Sequence, residues 1–308
     1  QVAAAAGTQL QDTTDVTSLS LEELGSIKVP TVVGASKYEQ KITEAPSIVT
    51  VVSREDMQTF GFRTLGDVLN SVRGFYITTD RAYNYTGLRG VNRPGDFGGR
   101  VLINIDGHRL NEPIYDSAFT STDFLLDLDL VDRVEVIRGP GSSLYGNNAF
   151  FTVINVVTRR GSQLDGTELS GSAGTYDTHT GRLSFGRRFH NGVEVLVSGS
   201  YLESRGHDQF RFPEYEAINH GVVEDHDRTE ARSAFASVTY RDFQFEGGYL
   251  NRRKDNPTPQ YGAVFNDPTA FNLDRRAYAE LKFSHAFAED WSLEARLYYD
   301  DYSYASAF

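Results

Sequence analysis

The sequence of 308 residues contains no cysteine, a single methionine and a single tryptophan. The absence of cysteine excludes disulfides and thiolate metal sites. There is no apolar run of about 18 residues, so the sequence predicts no transmembrane helix. Acidic residues exceed basic ones, and the formal net charge of -12 argues against nucleic acid as a partner because like charges repel.

Aromatic residues and glycine are abundant instead, with 17 tyrosines, 20 phenylalanines and 28 glycines. This composition is more typical of strands with aromatic girdles than of helices. A membrane β-barrel hides its apolar residues by alternating them with polar ones, so the missing apolar runs do not exclude it.

The most informative stretch is DRVEVIRGPGSSLYGNNAFFTVINVVT, residues 132–158. Two runs of β-branched residues at a period of two flank a segment rich in glycine, which predicts strand, tight turn and strand. A phosphate-binding loop is a weak alternative, since the segment has no GxxxxGK[ST] pattern.

This stretch, with LRGV at 88–91 and VLINIDGHR at 101–109, resembles the plug domain of TonB-dependent outer-membrane receptors. The family pattern RIEVIRGPxSxLYGxxAxxGVINIxT is kept almost throughout, although Phe151 stands where glycine is usual. We expect carboxylates to hold Arg138. The resemblance implies a structural motif of the plug at Arg89, Gly90, Asp106, Gly107, Arg138, Gly139, Pro140, Gly141, Tyr145 and Gly146.

Residues 45–77 alternate strand and helix, which predicts a small α+β unit. Ser53 is placed to cap a first helix, and a second helix has an apolar face at Leu65, Val68, Leu69 and Val72. The resemblance covers residues 30–160, so this range is expected to form the plug domain.

The preceding residues 1–29 are expected to be a flexible segment with a short helix at 18–24, starting near a mature terminus. The next segment is extended and β-branched, so it is suited to pair with another sheet edge. By resemblance it is the TonB box, although an ordinary first strand of the plug is the alternative. Its docking residues would be Thr31, Val32, Val33, Gly34 and Ala35.

Two loops rich in turn residues, 92–99 and 111–123, lie between predicted strands. In the family, loops at these places face the external ligand, and rigid scaffolds commonly present binding residues on loops. The ligand-binding candidates are Arg93, Asp96, Phe97 and Tyr115, with a plain solvated loop as the alternative.

After residue 161 apolar and polar residues alternate cleanly, for example Val195 and Val197 against Glu194 and Ser198, with Leu196 as an exception. The pattern predicts about seven antiparallel strands, near 167–174, 180–189, 193–203, 229–240, 243–252, 276–287 and 291–304. Strict alternation of short turns and long connections, at 204–228 and 251–275, favours an outer-membrane barrel over a soluble sandwich. Aromatic residues bracket the short turns, as an interfacial girdle requires.

A barrel that encloses a plug has about 22 strands, and about seven cannot close it. We therefore expect residues 161–308 to be the N-terminal part of a transmembrane β-barrel that is incomplete here. The predicted fold class is an α+β plug domain followed by antiparallel transmembrane strands.

Possible enzyme or metal chemistry is poorly supported. His207, His220 and His226 lie among carboxylates in one long connection, but their spacing matches no closed site, so they are weak candidates and no metal is assigned. Asp106 and His108 have no accompanying nucleophile. We expect neither an enzyme nor a bound cofactor.

The resemblance implies a receptor that binds a scarce extracellular ligand, such as a ferric siderophore, haem, cobalamin, metal or glycan, and imports it to the periplasm. Its implied partners are the TonB C-terminal domain with the ExbB/ExbD motor, outer-membrane lipid and a small ligand such as a metal chelate. The implied location is the outer membrane of a Gram-negative bacterium. A passive porin or an adhesin with a fixed stopper is the alternative.

Overall fold

The computed structural model describes residues 31–32, 40–41, 47–93, 95–288 and 291–307. The short helix expected at 18–24 lies outside these residues. Within them, no helix combines the length and apolar character needed to cross a membrane. The α-helices are α1 (Arg54–Thr59), α2 (Leu65–Ser71), α3 (Ser142–Tyr145) and α4 (Gly161–Leu164).

The described residues up to 160 form an α+β unit, which we call the plug. Its strands are β1 (Thr31–Val32), β2 (Gln40–Lys41), β3 (Ile48–Ser53), β4 (Phe75–Thr79), β5 (Asn84–Leu88), β6 (Val101–Ile105), β7 (His108–Arg109), β8 (Val131–Arg138) and β9 (Thr152–Thr158). The main sheet has the order β3-β8-β9-β6-β7, with β6 and β9 parallel and the other neighbours antiparallel. A separate hairpin pairs β4 with β5, and β1 pairs with β2.

The two predicted helices begin at side-chain caps. Ser53 accepts the Asp56 N–H and Thr64 accepts the Asp67 N–H, and both pairs form capping boxes. Helix α2 buries Leu65 and Leu69 against the sheet, so the predicted apolar face is confirmed. This core continues through Val134, Val136, Ile154 and Val156.

The second half forms one antiparallel sheet in sequence order, which confirms the seven predicted strands. Its members are β10 (Gly166–Gly174), β11 (Thr178–Arg188), β12 (Glu194–Ser204), β15 (Thr229–Tyr240), β16 (Phe243–Asp255), β17 (Phe271–Ala288) and β18 (Trp291–Ala307). A short hairpin of β13 (Gln209–Arg211) and β14 (Val222–Glu224), which was not predicted, lies in the connection after β12.

One face of this sheet packs on the plug, and we call it the plug-side face. Leu196 is 1% exposed and joins the plug core together with Phe235, Leu250 and Tyr278. The exception to the predicted alternation therefore marks a contact between the two parts. The opposite face exposes large apolar side chains such as Leu281 and Leu297.

The predicted connection at 251–275 was too long, because β16 runs to Asp255 and β17 begins at Phe271. These strand ends are rich in charged residues, which the hydrophobicity pattern assigns to a solvated loop. In the structure Arg252 and Asp274 form a buried ion pair on the plug-side face. The predicted strict alternation of connection lengths was also wrong, because only residues 175–177 separate β10 from β11.

Candidate functional site

The two ends of the seven-stranded sheet differ. The long connections 205–228 and 256–270 lie at one end, which we call the outer end. The shorter connections after β11 and β15 lie at the opposite, inner end, next to exposed Phe189, Tyr240 and Phe243. Plug residues at each end contact the sheet, so the candidate site extends along their common boundary.

The plug reaches the outer end through the turn between β4 and β5. Asp80 Oδ1 accepts the N–H groups of Ala82 at 2.9 Å and Tyr83 at 2.8 Å. Asp80 Oδ2 accepts the Tyr85 hydroxyl at 2.7 Å. One carboxylate thus shapes the turn, and we call residues 79–83 the apex turn.

The outer connections close over the apex turn. Gln260 donates to Asp80 Oδ2 at 2.8 Å, and Thr258 donates to the Asp80 carbonyl at 3.2 Å. The Arg81 guanidinium lies 4.8 Å from the Phe210 ring centroid in the β13 strand. A change in the apex turn therefore affects two outer connections directly.

Beneath the apex turn lies a buried charge cluster around Arg252 of β16. Arg252 donates to Asp274 Oδ2 at 3.1 Å, to the Thr122 hydroxyl at 2.9 Å and to the Ala82 carbonyl. The Tyr83 hydroxyl donates to Asp274 at 3.0 Å. The cluster therefore fixes two plug segments to two neighbouring strands.

Three of the predicted ligand-binding residues lie together at the plug surface. The rings of Phe97 and Tyr115 stack with centroids 4.6 Å apart, and Tyr115 is 63% exposed. Asp96 forms an ion pair with Arg100 and accepts the Gly98 N–H at 3.3 Å.

The fourth predicted residue, Arg93, contributes its carbonyl to the same loop, where it accepts the Asp96 N–H at 3.0 Å. The Tyr85 ring lies 6.4 Å from the Phe97 ring and connects this group to the apex turn. The structure thus gathers the predicted side chains of Asp96, Phe97 and Tyr115 around one exposed aromatic stack.

Sequence reasoning missed the residue that shapes the second loop. Glu112 is 1% exposed, and its carboxylate accepts the N–H groups of Ile114 at 2.6 Å, Tyr115 at 2.7 Å and Ser117 at 3.0 Å. It therefore presents the Tyr115 ring. A glutamate followed by a proline, as in NEPIYDS, was the available signal.

At the inner end, the turn after β6 is fastened to β17 and β18. Asp106 and Gly107 have positive φ angles of 46° and 83°. Lys282 donates to the Asp106 carbonyl at 2.6 Å and Arg296 to the Gly107 carbonyl at 3.1 Å. Asp106 also accepts the Thr158 hydroxyl at 2.5 Å, so this motif residue ties the turn to the last plug strand.

His108 continues this attachment. Its ring lies between Glu280, at 3.3 Å, and Asp300, at 3.1 Å, and stacks on Tyr278 with centroids 4.2 Å apart. Burial by itself lowers the pKa of His108, but the hydrogen bonds to Asp300 and Glu280 outweigh it and raise the pKa above 6.5. We call residues 106–108 the anchor turn.

The remaining motif residues surround α3. Gly139 and Gly146 have φ angles of 117° and 72°, which L side chains rarely adopt. A Cβ on Gly141 would lie 3.1 Å from Val153, and burial raises the pKa of Tyr145 to about 12. The neighbouring Pro140 precedes this helix, whereas Arg89 and Gly90 form the turn after β5.

The predicted partners of Arg138 are carboxylates. Its guanidinium donates to the Thr50 hydroxyl at 2.9 Å across the β3–β8 pair, and within the described residues it forms no ion pair with a carboxylate. The expectation that carboxylates hold Arg138 therefore stays a prediction, and among the described residues the Thr50 hydroxyl is its side-chain partner.

Of the predicted docking segment, Thr31 and Val32 form β1, whereas Val33, Gly34 and Ala35 lie outside the described residues. Val32 is fully buried among Leu102, Ile137, Ala149 and Val153. Val32 therefore packs on the plug sheet with Leu102 and Val153, in a cluster separate from the core that contains helix α2.

The three histidines of the long connection do not converge. The His207 ring lies at a tilt against the Tyr176 ring with centroids 4.2 Å apart, and His226 contacts the Ala270 carbonyl at 2.9 Å. His220 lies in a short 3₁₀ turn with a φ angle of 53°. In the described part of the chain, no group of three or more histidine and carboxylate residues is arranged to hold a metal ion.

The pKa of the plug residue Asp123, which lies near Arg252 of the buried charge cluster, is also shifted. Asp123 is 1% exposed, and burial raises its pKa to about 6, although the nearby Arg252 guanidinium opposes the shift. Oδ1 accepts the Ser121 N–H at 2.8 Å.

This shift predicts a pH dependence of plug stability. The folded plug binds the Asp123 proton more tightly than the unfolded chain, so the contribution of Asp123 to the free energy of unfolding should fall by about 3 kcal/mol as the pH rises from about 4 to 6. In Asp123→Asn this fall should vanish. A further fall above pH 6.5 should remain, because His108, whose folded pKa is raised, then loses its proton.

The measurement is urea unfolding of the purified protein in detergent at several pH values, followed by a fluorophore on one introduced plug cysteine. An Asp123→Asn variant that keeps the wild-type slope between pH 4 and 6 would contradict the assignment.

Comparisons with known proteins agree with this architecture. The family profile described as the TonB-dependent receptor plug domain matches residues 41–153. The vitamin B12 transporter BtuB of Vibrio vulnificus is 30% identical over 211 residues, covering 68% of this chain and 32% of the relative. The iron-regulated outer membrane virulence protein of Vibrio cholerae is 36% identical over 136 residues, covering 43% of this chain and 20% of the relative.

Solved structures show the same fold. The ferripyoverdine receptor of the Pseudomonas aeruginosa outer membrane superposes with a TM-score of 0.64 at 18% identity, covering 90% of this chain and 37% of that one. The alcaligin receptor FauA of Bordetella pertussis gives 0.63 at 18% identity, covering 89% and 42%.

The chain spans about a third or less of the length of these two sequence relatives. The family consists of transporters rather than enzymes and lies in the outer membrane of Gram-negative bacteria, in agreement with the predictions. The chain therefore contains a TonB-dependent receptor plug domain followed by seven antiparallel, barrel-like strands, and its homologues are TonB-dependent outer-membrane receptors.

Proposed function

We propose that this chain is the plug, at 30–160, and part of the barrel wall, at 161–308, of a receptor that imports a scarce ligand with energy from TonB. The observation that carries the proposal is the plug packed along the plug-side face by contacts at both ends. Long loops of outer-membrane barrels face the exterior and short turns the periplasm. The outer end is then extracellular and the anchor turn periplasmic.

Small metal chelates and cobalamin are the proposed ligand classes. One relative is named a vitamin B12 transporter, and one structural neighbour is bound to ferripyoverdine. Arg93, Asp96, Phe97 and Tyr115 are proposed to contact the ligand, because the exposed Phe97–Tyr115 stack offers a flat apolar surface beside charged groups. No resident metal or cofactor is proposed.

TonB is proposed to dock at the segment from Thr31 to Ala35, with the ExbB/ExbD motor as the source of energy. Each strand of the β1–β2 pair has one neighbour within the described residues, so an edge remains for an added strand. The outer-membrane lipid is proposed to contact the apolar face opposite the plug.

Uptake by a receptor-deficient host tests the proposal. Cells expressing the receptor that carries this chain should accumulate [57Co]cyanocobalamin, or 55Fe bound to pyoverdine or alcaligin, only when TonB is present. Uptake of these probes that is equal without TonB would instead favour the passive pore. A receptor that accumulates none of them in either host would oppose the proposed ligand classes.

The ligand surface predicts a specific affinity loss. Tyr115→Ala should raise the dissociation constant of the accumulated probe by tenfold or more, because the ligand loses its contact with the Tyr115 ring and the Phe97 ring loses its stacking partner. Binding to intact cells at low temperature measures it. Ile114→Ala, which changes the neighbouring residue of similar exposure, should change the affinity less than twofold. Equal losses in the two variants would contradict a role for the ring.

A further inference from the structure

The plug contacts some strands of the seven-stranded sheet directly and is separated from others by a cavity; we call this sheet the wall. On β17 and β18 the anchor turn is held directly, through Lys282, Arg296 and the carboxylates around His108. On the inner parts of β12, β15 and β16 the plug-side face borders a cavity instead. At the opposite flank of the sheet, Arg182 of β11 pairs with Asp129 of the plug at 3.1 Å and Glu168 of β10 pairs with Arg159 at 3.2 Å. The plug is therefore fastened at both flanks of the sheet and separated from the strands between them.

This inner cavity has a volume of about 750 Å³. Its wall includes Ser237, Thr239 and Gln244, and its plug side includes Arg133 and Asn155. A second cavity of about 410 Å³ shares Asn155, Thr239 and Gln244 and reaches the inner-end turn at residues 241–243. Both are lined by polar and charged groups and have the size of small-ligand pockets.

An apolar belt separates the inner cavity from the outer charge cluster. Adjacent strands contribute Phe235, Leu250 and Tyr278, all buried in the plug core. Leu196 packs beside them, opposite Ser237, and also lines the inner cavity. Strand register places Phe235 opposite Gly248 and Gly248 opposite Tyr278. Ser237 follows on the inner side of this row, and Arg252 lies on its outer side.

The plug closes the belt with Leu125. A Cβ added to Gly248 would lie 2.4 Å from Leu125 Cδ2, so the leucine packs directly on the β16 backbone. Leu125 itself is 1% exposed. The belt thus depends on a plug side chain inserted at a glycine of the wall.

We propose that this apolar belt is the gate of the transport path. A hydrophilic metal chelate or cobalamin passes between the plug and β12, β15 and β16 when Leu125 withdraws from Gly248, and it enters the polar inner cavity. The anchor turn stays on β17 and β18 as the plug moves. This path rests on the proposed function, although its gate can be tested without transport.

The test measures external access to single cysteines, which the cysteine-free 308 residues allow. Labelling of Ser237→Cys measures access to the inner cavity, which Ser237 lines. Labelling of Ser292→Cys measures access to the inner end of β18, at a residue that does not line this cavity. The probe is fluorescein-5-maleimide added to porin-deficient cells that express the receptor. With the belt intact, labelling of Ser237→Cys should be slow.

Leu125→Ala should accelerate labelling of Ser237→Cys at least tenfold and leave Ser292→Cys unchanged. Gly248→Ala should have the same effect from the side of the sheet, because its Cβ would displace both Leu125 and the Tyr278 ring of the belt. Leu69→Ala is the matched control: it removes an equally buried leucine of helix α2 and should not accelerate labelling.

Equal acceleration at Ser237→Cys and Ser292→Cys, or by Leu69→Ala, would overturn the gate in favour of general plug loosening. Rapid labelling of Ser237→Cys with the belt intact would overturn it as well. Neither readout needs a ligand or TonB. A receptor that fails the uptake assay yet shows the expected labelling would therefore refute the proposed function while retaining the belt as a seal.

Discussion

Replacement of Arg252 by methionine should destabilise the plug by about 3–5 kcal/mol, because it leaves buried carboxylates without their cation. The Arg252 side chain is 2% exposed, as is that of its ion-pair partner Asp274. It also supplies hydrogen bonds to Thr122 and Ala82 of the plug. The loss should therefore appear as earlier release of the plug from the wall.

Urea unfolding monitored by a plug fluorophore measures this change. Arg253→Met is the matched control, since the next residue in sequence forms a 3.1 Å pair with Asp255 but is 46% exposed. It should cost about 1 kcal/mol or less. The double variant Arg252→Met with Asp274→Asn should recover part of the stability because it removes the unpaired charge. Equal effects of the two arginine changes would show that burial of the pair does not matter.

The charge cluster also explains where sequence reasoning failed. Alternation predicted the strands well where local pattern and burial agree, as at Val197 of β12, which is exposed on the face away from the plug. It failed at the outer ends of β16 and β17, since Arg252, Lys254 and Asp274 look like a solvated loop. Their partners come from distant parts of the chain, and a pattern of local hydrophobicity cannot contain them.

The candidate site divides in the same way. Turn chemistry indicated the loops that carry Phe97 and Tyr115, because glycine, proline and asparagine mark them locally. Their stacking and the buried Glu112 carboxylate depend on tertiary contacts. The motif IDGH predicted the anchor turn itself. Its attachment to Lys282 and Arg296 joins residues more than a hundred positions apart, so no local motif predicts it.

The contact between Leu125 and the apolar belt could not be predicted from the sequence either. Leu196 was visible as an exception to alternation, and the structure explains it as a contact with the plug. Gly248 follows another glycine in β16, and no local pattern predicts that a plug leucine occupies the space of its missing side chain. A glycine that admits a partner from elsewhere is invisible to periodicity.

The docking segment gives the second large effect. Val32→Pro should reduce TonB-dependent uptake of the accumulated probe to the level of cells without TonB, while binding of the probe at the cell surface persists. Proline removes a backbone donor and restricts φ, so a strand added by TonB would lose a main-chain bond. Val32→Ala keeps the donor and should retain most uptake.

Val32 is also buried in the plug, so proline could act on plug packing rather than on docking. A synthetic peptide of residues 29–37 separates these causes, because it contains no plug. Isothermal titration with the purified TonB C-terminal domain should detect binding of the wild-type peptide and a loss of at least tenfold in affinity with Val32→Pro. Equal binding of the two peptides would place the uptake defect in the plug. Undetectable binding of the wild-type peptide would place the docking site outside residues 29–37.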